Sequence, residues 1–168
     1  MNTTLSPDYA DRVCTAVASA ALIRLIAEID DNGPIPAHEL ACTLPDLTPH
    51  QVRYATEQAR LLGLVRAWPG CGLCLTEAGL QLAEIYDSAA RWARIRNHPR
   101  RACDFITRVQ DTLRLLAPDQ DPDAAPSVVP AKADEGLARL RTDAAHWISI
   151  HWTGDEPVGF PRSLLEKT

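Results

Sequence analysis

The chain has 168 residues, 46% of them hydrophobic and only 5% aromatic, enough for one ordinary core and a composition that favours helices over a β-sandwich. Its formal charge of −5 argues against a nucleic-acid binder until it is divided: residues 1–117 carry −1 and residues 118–168 carry −4. Arg24 and Glu28 interrupt the most apolar stretch, residues 13–29, so no run approaches the roughly 18 apolar residues of a membrane span.

The opening MNTTLSPDYADR holds no basic stretch leading into an apolar one, so no export signal is expected. Five cysteines in such a chain then read as reduced thiols, and the expected location is cytoplasmic.

Ser6-Pro7 followed by Asp8 and Asp11 reads as a helix start. Val13, Val17, Ala20, Ala21, Leu25, Ile26 and Ile29 recur at helical spacing until Asn32-Gly33-Pro34, which predicts either one long helix or one broken once. A short helix fits residues 37–44, with Leu40, Ala41 and Leu44 inward, and ends at Pro45. The sharpest local signal is Thr48-Pro49-His50-Gln51: a hydroxyl cap, Pro at the first helical position and Gln placed to reach back. A helix therefore begins at Thr48, with Val52, Ala55, Thr56, Ala59 and Leu62 inward and Gly63 as its stop.

Residues 64–68 and 73–75 are short apolar runs flanking Pro69-Gly70-Cys71-Gly72, a small β-hairpin. Thr76-Glu77-Ala78-Gly79 opens a further helix to about Asn97, with Leu80, Ala83, Ile85, Tyr86, Ala89, Ala90, Trp92 and Ala93 as its apolar positions. His98-Pro99 breaks it, and Ala102, Phe105, Ile106, Val109, Leu113 and Leu116 align on the next helix. PDQDPDAAPSVVP cannot hold a helix. Helical spacing returns from Asp134 to about Trp152 through Leu137, Leu140, Ala144, Trp147 and Ile148, ahead of a tail with weak pattern.

Helix, short helix, turn, capped helix and hairpin, in that order, compose a winged helix-turn-helix in a mostly α chain with additional C-terminal helices. The segment ELACTLPDLTPHQVRYATEQARLLGLVRAWPGCGLCLTEAGLQLAEIYDSAARWA resembles the helix-turn-helix, wing and following helix of bacterial HxlR-type regulators, with MarR-type regulators as a near second. The LGLV turn, the LTEAG start and the RWA near that helix's end carry the likeness. The dimerisation module ahead of small-molecule methyltransferases is similar over residues 20–80, yet no Gly-rich nucleotide loop follows it here.

The organisation expected is residues 1–98 as the winged helix-turn-helix with flanking dimerisation helices, 99–117 as an added helix, 118–131 as a Pro/Asp-rich linker and 132–168 as a C-terminal helix and tail. Two half-site readers and long apolar faces around Trp92 and Phe105 imply a homodimer.

For double-stranded DNA, the outward face of the Thr48 helix supplies the reading side chains: His50, Arg53, Tyr54, Glu57, Gln58 and Arg60. Arg53 and Gln58 suit base edges. Arg60, Arg66 on the wing strand, and Thr48 with the first helical amides suit phosphate. Arg91, Arg94, Arg96, Arg100, Arg101, Arg108 and Arg114, opposed only by Asp104 and Asp111, make a second basic region.

Cys71 and Cys74 have half the ligand spacing of a zinc site but no second pair; a redox-sensing pair and two inert thiols are the alternatives. His98 and Cys103 complete no metal pattern, and Cys14 and Cys103 fit as small core residues. His146 and His151 have no acid in register for catalysis. No GxSxG, Walker loop, HExxH or dinucleotide fingerprint occurs, so neither an enzyme nor a cofactor is expected. The expected function is a sequence-specific DNA-binding transcription regulator, with control by a small-molecule effector or by redox left open. A winged-helix module that binds protein is the alternative, since the acidic total charge also suits a protein partner.

Overall fold

The computed structural model describes residues 13–101, 104–116 and 134–151. The Ser6-Pro7 start, Ala102, Cys103, the Pro/Asp-rich linker, Trp152 and the tail lie outside the described residues. Within them the chain is mostly α-helical, with one two-stranded antiparallel hairpin. None of the described helices is long and apolar enough to cross a membrane.

The first apolar stretch is broken, as one of its two readings had it. Residues 13–17 are helical, Ser19 is extended, and α1 runs from Ala20 to Asn32. A helix that stops inside a core leaves carbonyls that need donors, and three other helices supply them. Gln58 Nε2 donates to the Ala16 carbonyl at 3.0 Å, Tyr86 Oη to Val17 at 2.6 Å and Gln110 Nε2 to Ala18 at 2.8 Å. Α1 itself buries Leu22, Ile23, Leu25, Ile26 and Ile29, so the break turns the chain without exposing apolar surface.

The short helix is shorter than expected: α2 spans Leu40–Thr43, and residues 37–39 form a turn. Α3, Pro49–Leu61, begins as the sequence dictates. Gln51 N donates to Thr48 Oγ1 at 3.2 Å and Thr48 N donates to Gln51 Oε1 at 2.8 Å, a complete capping box. Strands β1 (Val65–Trp68) and β2 (Gly72–Leu75) pair with Arg66 opposite Cys74 and Trp68 opposite Gly72. Ile35 adds a bridge to Leu73, which anchors the hairpin to the end of α1.

Helix α4 (Glu77–Arg96) starts against the end of α3: Thr76 N donates to the Leu64 carbonyl and Thr76 Oγ1 to that of Gly63. Gly79 is required there, because a Cβ would stand 2.1 Å from the Leu64 carbonyl oxygen. Leu80, read as inward, is 45% exposed, and Leu82 takes the buried position instead. Helix α5 (Phe105–Leu116) follows, capped by Asp104, which accepts from Thr107 N.

Α6 (Glu135–His151) lies antiparallel along α4. Asp134 at its start accepts from the Trp92 indole and pairs with Arg96, while Trp147 near its end donates to the Ala78 carbonyl. Trp92 is therefore buried within the chain, whereas Phe105 is half-buried.

Candidate nucleic-acid interface

Α3 is amphipathic by spacing. Val52, Ala55, Thr56 and Ala59 are buried, and His50, Arg53, Tyr54, Glu57 and Arg60 are exposed in one stripe. Thr48 is exposed at the helix start, at the positive end of the helix dipole, where Pro49 has no N–H and the Thr48 and Gln51 amides are taken up by the capping box rather than offered to a phosphate. Arg66 is exposed on β1, its guanidinium 4.6 Å from the Trp68 ring centroid. Trp68 is 50% exposed, so the ring holds the cation in position while leaving it in solvent.

The acid nearest the start of α3 is neutralised from a distance. Arg24 of α1 bonds Asp46 at 3.2 Å and Glu28 at 2.5 Å. Glu28 is a local partner four residues on along α1, whereas nothing local announces the tie to Asp46, 22 residues away. A groove of about 340 Å³ runs between α2 and α3, lined by His38, Leu40, Val52, Arg53, Glu57 and Arg60. Both arginines are part of its lining.

Gln58 is a correction. It is 7% exposed and its amide is committed to the Ala16 carbonyl, with Oε1 buried and without a partner among the described residues. The helical residues 13–17 cover a flank of α3 that the apolar stripe alone does not reveal, so Gln58 fastens the helix and faces away from solvent. The remaining six residues assigned to DNA, Thr48, His50, Arg53, Tyr54, Arg60 and Arg66, are all exposed.

The hairpin does not set the two thiols opposite one another. The turn joins Trp68 to Cys71, whose N–H donates to the Trp68 carbonyl, and Cys74 faces Arg66 across the strands. Cys71 and Cys74 thus follow one another along one side of the hairpin, where a rise of about 3.3 Å per residue carries them apart. Neither is in a disulfide, nor are Cys14 and Cys42. Among the described residues no group of three or more His, Cys, Asp or Glu side chains is placed to hold a metal ion.

The second basic region divides. Arg96 pairs with Asp134 and Arg114 with Asp111, while Arg91, Arg94, Arg100 and Arg101 are exposed. His146 is exposed, and His151 bonds Gln81 at 2.9 Å. No protein-family model, curated protein or solved structure matches this chain.

Proposed function

We propose that the chain is a sequence-specific DNA-binding transcription regulator of the winged helix-turn-helix type, with α3 as the helix that enters the major groove and the β1–β2 hairpin as the wing. The observation that carries this reading is the exposed stripe of α3. A capped helix of 13 residues presents His50, Arg53, Tyr54 and Arg60 outward, and Arg66 is exposed on the hairpin that follows it. An α-helix of this exposure fits the roughly 12 Å width of the major groove. Arg53, in the first half of α3, is assigned to a base edge, and Arg60 and Arg66 to phosphates on either side.

One observation favours a protein partner: Leu61 and Trp68, both 50% exposed, flank the same face, and Glu57 interrupts its positive charge.

Selection from a random duplex pool at low salt separates the two. The DNA reading expects an enriched motif whose affinity falls steeply with salt, Arg53→Ala flattening discrimination between sites, and Arg60→Ala weakening all sites alike with a salt slope reduced by about 1. Absence of enrichment at low salt refutes the reading and leaves the protein-binding module.

A further inference from the structure

One ridge of α4 is covered by no other described element. Its exposed side chains are Glu77 in the first turn and then Leu80, Glu84, Asp87, Ser88, Arg91, Arg94 and Ile95. Steps of three and four residues align them on one side of the helix. Α1 flanks the ridge along a groove lined by Asp30, Asp31 and Asp87, and α6 flanks it along another lined by Glu84, Ser88, Asp143 and His146.

From Leu80 to Ile95 the order of chemistry along the ridge is apolar, acid, acid, Ser, base, base, apolar. Reversing its direction inverts every charge and leaves the apolar ends in place. Those ends are exposed large hydrophobes, Leu80 at 45% and Ile95 at 76%. None of Glu84, Asp87, Arg91 and Arg94 forms an ion pair among the described residues, although Asp87 and Arg91 stand four apart on the helix. Beside the acid half, the Asp30 carboxyl is pushed above the ordinary range first by burial and then by Asp87, Asp31 and Glu84.

We propose that this ridge is a two-fold interface with a second copy of this chain, α4 lying antiparallel on α4. An axis crossing between Ser88 and Ala90 sets Glu84 and Asp87 of each copy against Arg94 and Arg91 of the other, and brings Leu80 to within about one turn of Ile95, over about 22 Å of helix. The same patch meets itself, so the contact closes at two copies. Parallel pairing would set acid on acid and base on base, which is what selects the antiparallel arrangement. Each copy's unpaired charges are satisfied only by the other copy, and no second kind of partner is needed to explain the inverted order. The inference stands on α4 alone and survives failure of the DNA reading, although a two-fold dimer would also present two α3 helices together.

The test is a charge swap on the full chain, read by sedimentation velocity at low salt. Wild type is expected to be a dimer at tens of micromolar and to dissociate as salt rises, since the pairs are solvent-accessible. Glu84→Arg with Asp87→Arg, and separately Arg91→Glu with Arg94→Glu, are each expected to raise the dimer Kd by about 100-fold or more, because each replaces attraction with repulsion at both ends of the interface. An equimolar mixture of the two variants is expected to recover a dimer of wild-type affinity, since the swapped charges again oppose. A variant that merely unfolds cannot produce that recovery.

As a measurement free of charge changes, Ser88→Cys is expected to give an oxidative cross-link between the two introduced thiols, identified by peptide mass mapping. A wild type that stays monomeric at 100 micromolar, variants that still dimerise, a mixture that stays monomeric, or introduced thiols that never cross-link would each overturn the proposal.

Discussion

Replacing Tyr86 with Phe removes one oxygen from the centre of the core and nothing else. The ring is 1% exposed, and its hydroxyl donates to the Val17 carbonyl at 2.6 Å, 69 residues away. Phe fills the same ring volume, so the cavity term is small; the cost is the lost hydrogen bond and a carbonyl deprived of its donor at a helix break. Such a loss amounts to about 2 kcal/mol, which for a chain of this size lowers Tm by about 4 to 8 °C.

Alkaline titration supplies an independent check. Burial holds the Tyr86 phenol well above its ordinary value, so its proton is bound more tightly in the folded chain than in the unfolded one. The corresponding stability is fully present below about pH 10, the unfolded value, and is lost as pH rises from there toward the folded value. In wild type, phenolate absorbance from Tyr86 should appear only with unfolding, and Tyr86→Phe should lack that alkaline step. Thermal denaturation followed by near-UV circular dichroism and absorbance titration measure the two effects. A variant with unchanged Tm, or Tyr86 titrating near its ordinary value of about 10 in the folded protein, would refute the reasoning.

Gln58→Leu should cost about 1 kcal/mol in urea denaturation, because the Ala16 carbonyl loses its donor, while leaving the DNA motif recovered by selection unchanged; Arg53→Ala should do the reverse. Asp134→Asn should loosen α6 by about 1 kcal/mol. Although burial works against it, the Trp92 indole, the Leu137 amide and Arg96 hold the Asp134 carboxyl below its ordinary range. Its stabilisation is therefore present above about pH 4, the unfolded value, and is lost as pH falls through the lower folded value, so wild type and Asp134→Asn should converge in acid-denaturation midpoints. Gly79→Ala should cost about 3 kcal/mol, since the new methyl would collide with the Leu64 carbonyl, read as a lowered urea midpoint with unchanged slope.

What the sequence makes legible here is what neighbours in the chain decide. The Thr48–Gln51 capping box, the stop after Leu62, the hairpin and the Thr76 start all follow from signals within four residues, and each appears where expected. Exposure of Arg53 and Arg60 follows from the same periodicity that buries Val52 and Ala59. Gln58 is misread because its burial depends on residues 42 positions upstream, which no local periodicity reports. The Arg24 clamp on Asp46 escapes for the same reason. Leu80 is misread in the opposite sense: apolar character suggests the core, yet on a helix flanked by α1 and α6 that azimuth stays open.

The antiparallel docking of α6 on α4 has a consequence for the order in which the molecule can assemble. Its fastenings join Asp134 to Trp92 and Trp147 to Ala78, spans of 42 and 69 residues. A chain emerging from the ribosome completes the hairpin and α4 well before α6 exists. Until then the strip of α4 that receives α6, including Trp92, has no cover of its own, and such exposed apolar surface on a nascent chain is where aggregation and chaperone capture begin. Closure by α6 is thus a late step whose entropy cost grows only slowly with the length of the intervening segment. Trp92 and Trp147 sit at opposite ends of the closing helix, so indole fluorescence would report the moment the fold is sealed.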